Sequence, residues 1–176
     1  MSNAVISVPN LDIGPCRVTW NGVDLGATLD KVVTSIKIMK SPLKADQLGD
    51  SILDNAISGY DITVTTSLAE TRDKTIWNVV FPSADLAGVS PADYLDFNNK
   101  VALRDYTRAM PLILHPLVEA DASLNLDHYF YKALASEESS LTLDAKDQYK
   151  LKLVWRIFPD QSQSPVRWYR YGDQSL

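Results

Sequence analysis

The chain has 176 residues, 45% hydrophobic and 22% charged, enough to bury a core without disulfides or metals and too apolar for global disorder. A net charge of −5 argues against a dedicated nucleic-acid binder, whose affinity rests on clustered Lys and Arg. No apolar run approaches the roughly 18 residues of a membrane helix, the first fifteen residues hold neither a basic nor an apolar stretch, and lone Cys16 has no second thiol, so the sequence predicts a chain made and used in cytoplasm with no membrane contact.

The first element in chain order is a hairpin. Cys16-Arg17-Val18-Thr19-Trp20 faces Val23-Asp24-Leu25 across Asn21-Gly22, a dipeptide that tolerates positive φ at both centres of a tight turn. Cys16 reads as a small buried hydrophobe. From Leu29 to Met39 a looser alternation sets Val32, Ile36 and Ile38 against Lys31, Ser35 and Lys37, which predicts a strand with one dry face.

Between Lys40 and Gly59 the period fades. These residues join two strands, yet Leu43, Leu48, Ile52, Leu53 and Ile57 require a surface to cover. Two readings stay open: an arm that grips a neighbouring copy, and a flap folded back on its own core.

Tyr60 to Ala69 alternates cleanly, with Tyr60, Ile62, Val64 and Leu68 opposing Asp61, Thr63, Thr65 and Ser67. Thr71 to Phe81 then places Ile76, Trp77 and Val80 on one side, with Asp73 in the first turn and Pro82 as a stop, predicting a short helix. Ser90-Pro91-Ala92-Asp93 carries the signature of a second, brief helix. Strands are predicted at Met110 to Leu117, where Pro111 and Pro116 imply a sheet edge or a bulge, at His128 to Leu134, and at Val166 to Tyr171. Between the last two, Tyr149, Leu151, Leu153, Trp155 and Ile157 oppose Lys150, Lys152 and Arg156 in a further strand. The pattern predicts a mainly β fold with one or two short helices. It is a β-sandwich or partly closed barrel with a flanking helix and a long inter-strand arm, in a single domain over residues 1–176.

Catalytic patterns are missing from the sequence. His115 and His128 stand outside any metal-ligand spacing and read as packed or surface histidines; there is no phosphate-cradling glycine loop and no nucleophile elbow. Adjacent Glu137 and Glu138 would point to opposite faces of a strand and fit a solvated loop better than a carboxylate pair. The charges are uneven instead: Leu117 to Asp147 holds seven acids against two bases, and Tyr149 to Leu176 holds five bases against two acids. Opposed segments of this kind suit head-to-tail contacts between copies, and equally suit solvated surfaces. Trp168-Tyr169-Arg170-Tyr171 predicts a terminal strand whose rings join the core or an interface; an alternative is a carbohydrate- or receptor-binding module that uses Trp168, Tyr169 and Tyr171 as its platform.

The order of these pieces resembles the major tail tube proteins of long-tailed bacteriophages. The resemblance is carried by the hairpin Val18 to Thr28, the linker with Gly49-Asp50-Ser51-Ile52-Leu53-Asp54, Ser58-Gly59-Tyr60 and the strand Ile62 to Glu70. Further along it rests on Pro111 to Leu117, Tyr129 to Ala133, Tyr149 to Phe158 with Pro159-Asp160, and Tyr171-Gly172-Asp173. It implies a virion structural protein without catalysis, cofactor or metal, assembled in the host cytoplasm into hexameric rings stacked as the tail tube. DNA would pass through during ejection without specific binding, and the tape measure and terminator proteins would be further partners. A tail terminator or neck protein, which forms one ring and stops, is the variant reading.

By the same resemblance Leu43, Lys44, Leu48, Asp50, Ile52, Leu53 and Asp54 would touch the adjacent ring. The strands Leu29 to Met39, Tyr60 to Ala69 and Tyr149 to Phe158 would supply the inner barrel, with Lys31, Lys37, Asp61, Thr63, Thr65, Lys150, Lys152 and Arg156 as candidates for the channel face. Tubes of this family tend to have an acidic channel, which lets DNA slide without sticking. The bases in this set run against that tendency.

Overall fold

The computed structural model describes residues 15–44, 51–69, 73–81, 83–88, 92–98, 100–118, 120, 122–135, 138–143 and 148–173. In chain order the elements are strands β1 (Cys16–Trp20), β2 (Val23–Ala27), β3 (Val33–Lys44) and β4 (Ile52–Leu68), helix α1 (Lys74–Val80), strands β5 (Ala84–Ala87) and β6 (Tyr94–Phe97), helix α2 (Asp105–Arg108), and strands β7 (Met110–Pro116), β8 (His128–Ala135), β9 (Ser140–Thr142), β10 (Lys150–Phe158) and β11 (Tyr169–Tyr171). The fold is mainly β, as the alternation predicts.

The main sheet runs β2-β1-β7-β8-β10-β4-β3, with β11 added to β8 and β9 to β10. All of its registers are antiparallel. The sheet curls until its first strand reaches β4: Thr28 bridges Leu68, the Leu29 N–H donates to the Ser67 carbonyl (2.8 Å), and the Ala69 N–H donates to that of Ala27 (3.2 Å). A partly closed barrel results. Beyond this closure β3 takes over the same edge of β4, Val33 lying opposite Thr65, and leads away from the barrel.

The interior is filled from the alternate faces anticipated along the chain. Val18 and Trp20 of β1, Ile62, Val64 and Leu68 of β4, Leu112 and Leu114 of β7, Phe130 of β8, and Leu151, Leu153, Trp155 and Ile157 of β10 are all buried in one cluster. Trp20 and Trp155 meet across the barrel with ring centroids 5.9 Å apart. Each indole keeps a partner for its N–H, Trp20 donating to the Ala133 carbonyl and Trp155 to Thr66 Oγ1, both at 2.9 Å. α1 adds Ile76 and Val80 to the cluster. Its N-cap is Asp73, whose carboxylate accepts from the Thr75 N–H (2.8 Å), so the helix begins one residue past the acid placed in its first turn by sequence; residues 71 and 72 lie outside the described set.

Pro111 takes the bulge of the two settings expected for it, since β7 lies between β1 and β8 rather than at an edge. It stands at the break in register between Met110 and Leu112, opposite an extra residue of β8, where a missing N–H is tolerated. The helix signal at Ser90-Pro91 leads instead into β6, which pairs with β5 in a separate two-stranded sheet; residues 90 and 91 are outside the described set. α2 arises where no helix was expected, and Tyr106 on it packs edge-on against Phe158 of β10 (6.3 Å). Cys16 is half-buried rather than buried, and that burial raises its thiol pKa.

Candidate functional site

The segment read as a linker is an extension of two strands. β3 and β4 stay paired through Lys40↔Ile57, Ser41↔Ala56, Pro42↔Asn55, Leu43↔Asp54 and Lys44↔Ile52. Leu48 and Asp50 fall outside the described residues, as does the Lys44 side chain. From Tyr60 to Ile52, at ~3.4 Å per residue, the hairpin reaches about 27 Å past the groove at its root. It forms an arm.

The face of the arm follows from strand parity. On β4, Leu68, Val64 and Ile62 are buried in the barrel, and the same face continues outward through Tyr60. Opposite them on β3, Ile36 faces Ile62 and Ile38 faces Tyr60. Past the irregularity between Met39 and Lys40, Ile57 and then Ile52 return to this face. Burial stops while the apolar stripe does not: Ile62 is 3% exposed, Ile36 50%, Ile57 59% and Ile52 58%. Of the expected dry face, Val32 packs against the core while Ile36 and Ile38 are uncovered. Leu43 and Leu53 are exposed as well. Gly59 opposes Met39 at the irregularity, where a Cβ would stand 3.0 Å from the Met39 methyl group.

At the root of the arm lies a groove of about 330 Å³ walled by Ile36, Tyr60, Ile62, Val166 and Trp168, with Arg167 and Tyr169 completing its lining. Tyr60 and Trp168 meet edge-on at 6.2 Å. The Arg167 guanidinium donates to the Tyr131 hydroxyl (3.2 Å) and lies over that ring, but has no carboxylate partner among the described residues. Trp168 and Tyr169 pack against the core, so only Tyr171 of the proposed aromatic platform is exposed. Nothing in the sequence marked this groove, because strands distant along the chain build it.

The opposite face of the same strands gathers the channel candidates. Lys37 pairs in register with Asp61, Thr63 with Arg156 and Thr65 with Val154. Arg156 reaches Asp61 at 3.4 Å and Lys150 reaches Asp30 at 3.5 Å, so among the described residues these two bases lie within ion-pair distance of an acid. Lys31 precedes β3 and joins Lys152, Thr65 and Ser67 around a shallow polar depression. The described arm candidates and the channel candidates other than Lys31 thus occupy one hairpin and its neighbour β10.

His115 and His128 are both packed. His115 Nδ1 lies 2.7 Å from Asp127 Oδ1 in a buried pair, and His128 Nδ1 lies 2.8 Å from the Tyr169 hydroxyl. Among the described residues no group of three His, Cys, Asp or Glu could hold a metal ion, and no helix is long and apolar enough to cross a membrane. Comparison with known proteins returns no match, either to a family model or to a curated protein.

Proposed function

We propose that this chain is a structural subunit that self-assembles into rings and stacks them into a tube of the phage-tail kind, without a catalytic role. The observation that carries this reading is the apolar stripe that leaves the barrel core and runs uncovered along the β3–β4 arm. Each large aliphatic side chain left wet forgoes about 1.5–3 kcal/mol of burial, which an identical neighbour can recover. Among the described strands β3 also ends the sheet, and an outer edge with no strand beside it offers backbone groups for strand addition, a hazard in a monomer and an interface in an assembly.

The channel follows from the same reading. Strands β3, β4 and β10 would turn their polar face to passing DNA, and the acids beside Arg156 and Lys150 weaken the hold of those bases on phosphate. The tape measure and terminator proteins are the partners at the two ends of such a tube. Removing residues 44–54 tests the proposal: the shortened chain is expected to fold and no longer stack, giving nothing larger than a single ring by light scattering, while the intact chain forms tubes in negative-stain images. Intact protein that stays monomeric at high concentration overturns the reading, and single rings that never lengthen favour a terminator or neck protein.

A further inference from the structure

We infer that the arm of one copy docks in the aromatic groove at the root of the arm of the next, Leu53 and Ile52 entering between Tyr60, Val166 and Trp168 while Asp54 meets Arg167. This rests on the assembly reading above and names the receiving surface, which that reading leaves open.

Apolar complementarity is the first support. The arm exposes Ile52, Leu53 and Ile57, and the groove exposes aliphatic and aromatic walls on the same face of the sheet. Charge complementarity is the second. Asp54 stands exposed, its carboxylate accepting only from the Asn55 N–H (2.7 Å), with no cation partner among the described residues. Arg167 at the groove has no acid partner there either. The sequence around each agrees in sign: residues 44–54 hold Asp46, Asp50 and Asp54 against Lys44, whereas Val166 to Tyr171 holds Arg167 and Arg170 and no acid. Among the described residues, then, an acid with no cation partner, set among aliphatic side chains, matches a guanidinium with no acid partner, set among aromatic ones.

The arm cannot satisfy its own groove. Leu53 lies seven residues out from Tyr60, about 24 Å at ~3.4 Å per residue, along a hairpin that leads away. Arm and groove are different surfaces, so a head-to-tail contact repeats and propagates a stack, whereas a reciprocal exchange of arms would close on a pair.

Cysteine cross-linking tests the contact in the full-length chain. In a Cys16→Ala background, Leu53→Cys and Val166→Cys replace two exposed residues, so each change leaves the core intact. A disulfide needs Cα atoms within about 4.4–6.8 Å, which only a docked neighbour provides. Mild oxidation of the double variant under assembly conditions is expected to give a ladder of dimers, trimers and longer chains on a non-reducing gel, while Leu53→Cys alone stops at dimers. Assemblies that form by light scattering yet yield no ladder overturn the docking and leave the tube reading standing. Absence of any assembly by the Cys16→Ala chain removes both.

Discussion

The two histidines have the same bland appearance in the sequence and different surroundings in the fold. His128 begins β8 with its ring stacked on Tyr169 (5.9 Å) and tilted against Tyr171 (4.9 Å). Burial lowers its pKa below the ordinary 6.5, and the charge of Asp127 acts in the opposite direction. The unfolded chain therefore binds a proton at higher pH than the folded one. The stability contributed by the neutral ring is complete above pH 6.5 and is lost as pH falls below it. His128→Phe keeps the aromatic stack and removes the titration. Melting temperatures measured at about pH 7.5 and about pH 5 are expected to fall further for the parent chain than for this variant; equal falls would place the acid sensitivity elsewhere.

Among the elements, the hairpin of β1 and β2 is the most legible, because Asn21 (φ 51°) and Gly22 (φ 76°) adopt the left-handed turn that their dipeptide favours. β10 is nearly as clear, its dry residues Leu151 to Ile157 all facing the core. The arm was hidden for a physical reason. The register irregularity at Met39/Lys40 shifts strand parity, so Ile57 falls out of step with Tyr60 and Ile62 although it shares their face, and the second irregularity at Leu43/Lys44 shifts parity back for Ile52. The groove was illegible because its walls come from β3, β4 and the segment before β11, which only the folded sheet brings together. Four-residue α2 is too short to show a helical period. If the stripe is an interface, Ile52→Lys with Ile57→Lys should leave the dilute protein's stability within about 0.5 kcal/mol, since both side chains are exposed. Light scattering should show association moved to concentrations higher by roughly tenfold or more, the equivalent of about 1.4 kcal/mol. Loss of stability without loss of association would mean that the arm covers its own body.

The fold as a whole joins two regions of unequal support. The barrel closes on itself through Thr28 and Leu68 and carries the buried cluster, so its amides open only with most of that burial undone. The arm is a two-stranded ribbon with exposed apolar faces, and such a ribbon is marginal alone in water. Hydrogen exchange should separate them. In dilute protein the amides of residues 40–44 and 52–59 are expected to exchange far faster than those of Val18, Val64 and Trp155. Association acts on the arm as a ligand acts on a folded state: at a hundredfold excess over the dissociation constant it adds about 2.7 kcal/mol, slowing arm exchange about a hundredfold. Barrel amides that open locally without releasing the neighbour should barely change, so the protection maps where the second copy binds. Arm amides that are already slow in dilute, monomeric protein would mean that the ribbon is ordered by its own barrel, leaving no apolar surface for a neighbour to bury.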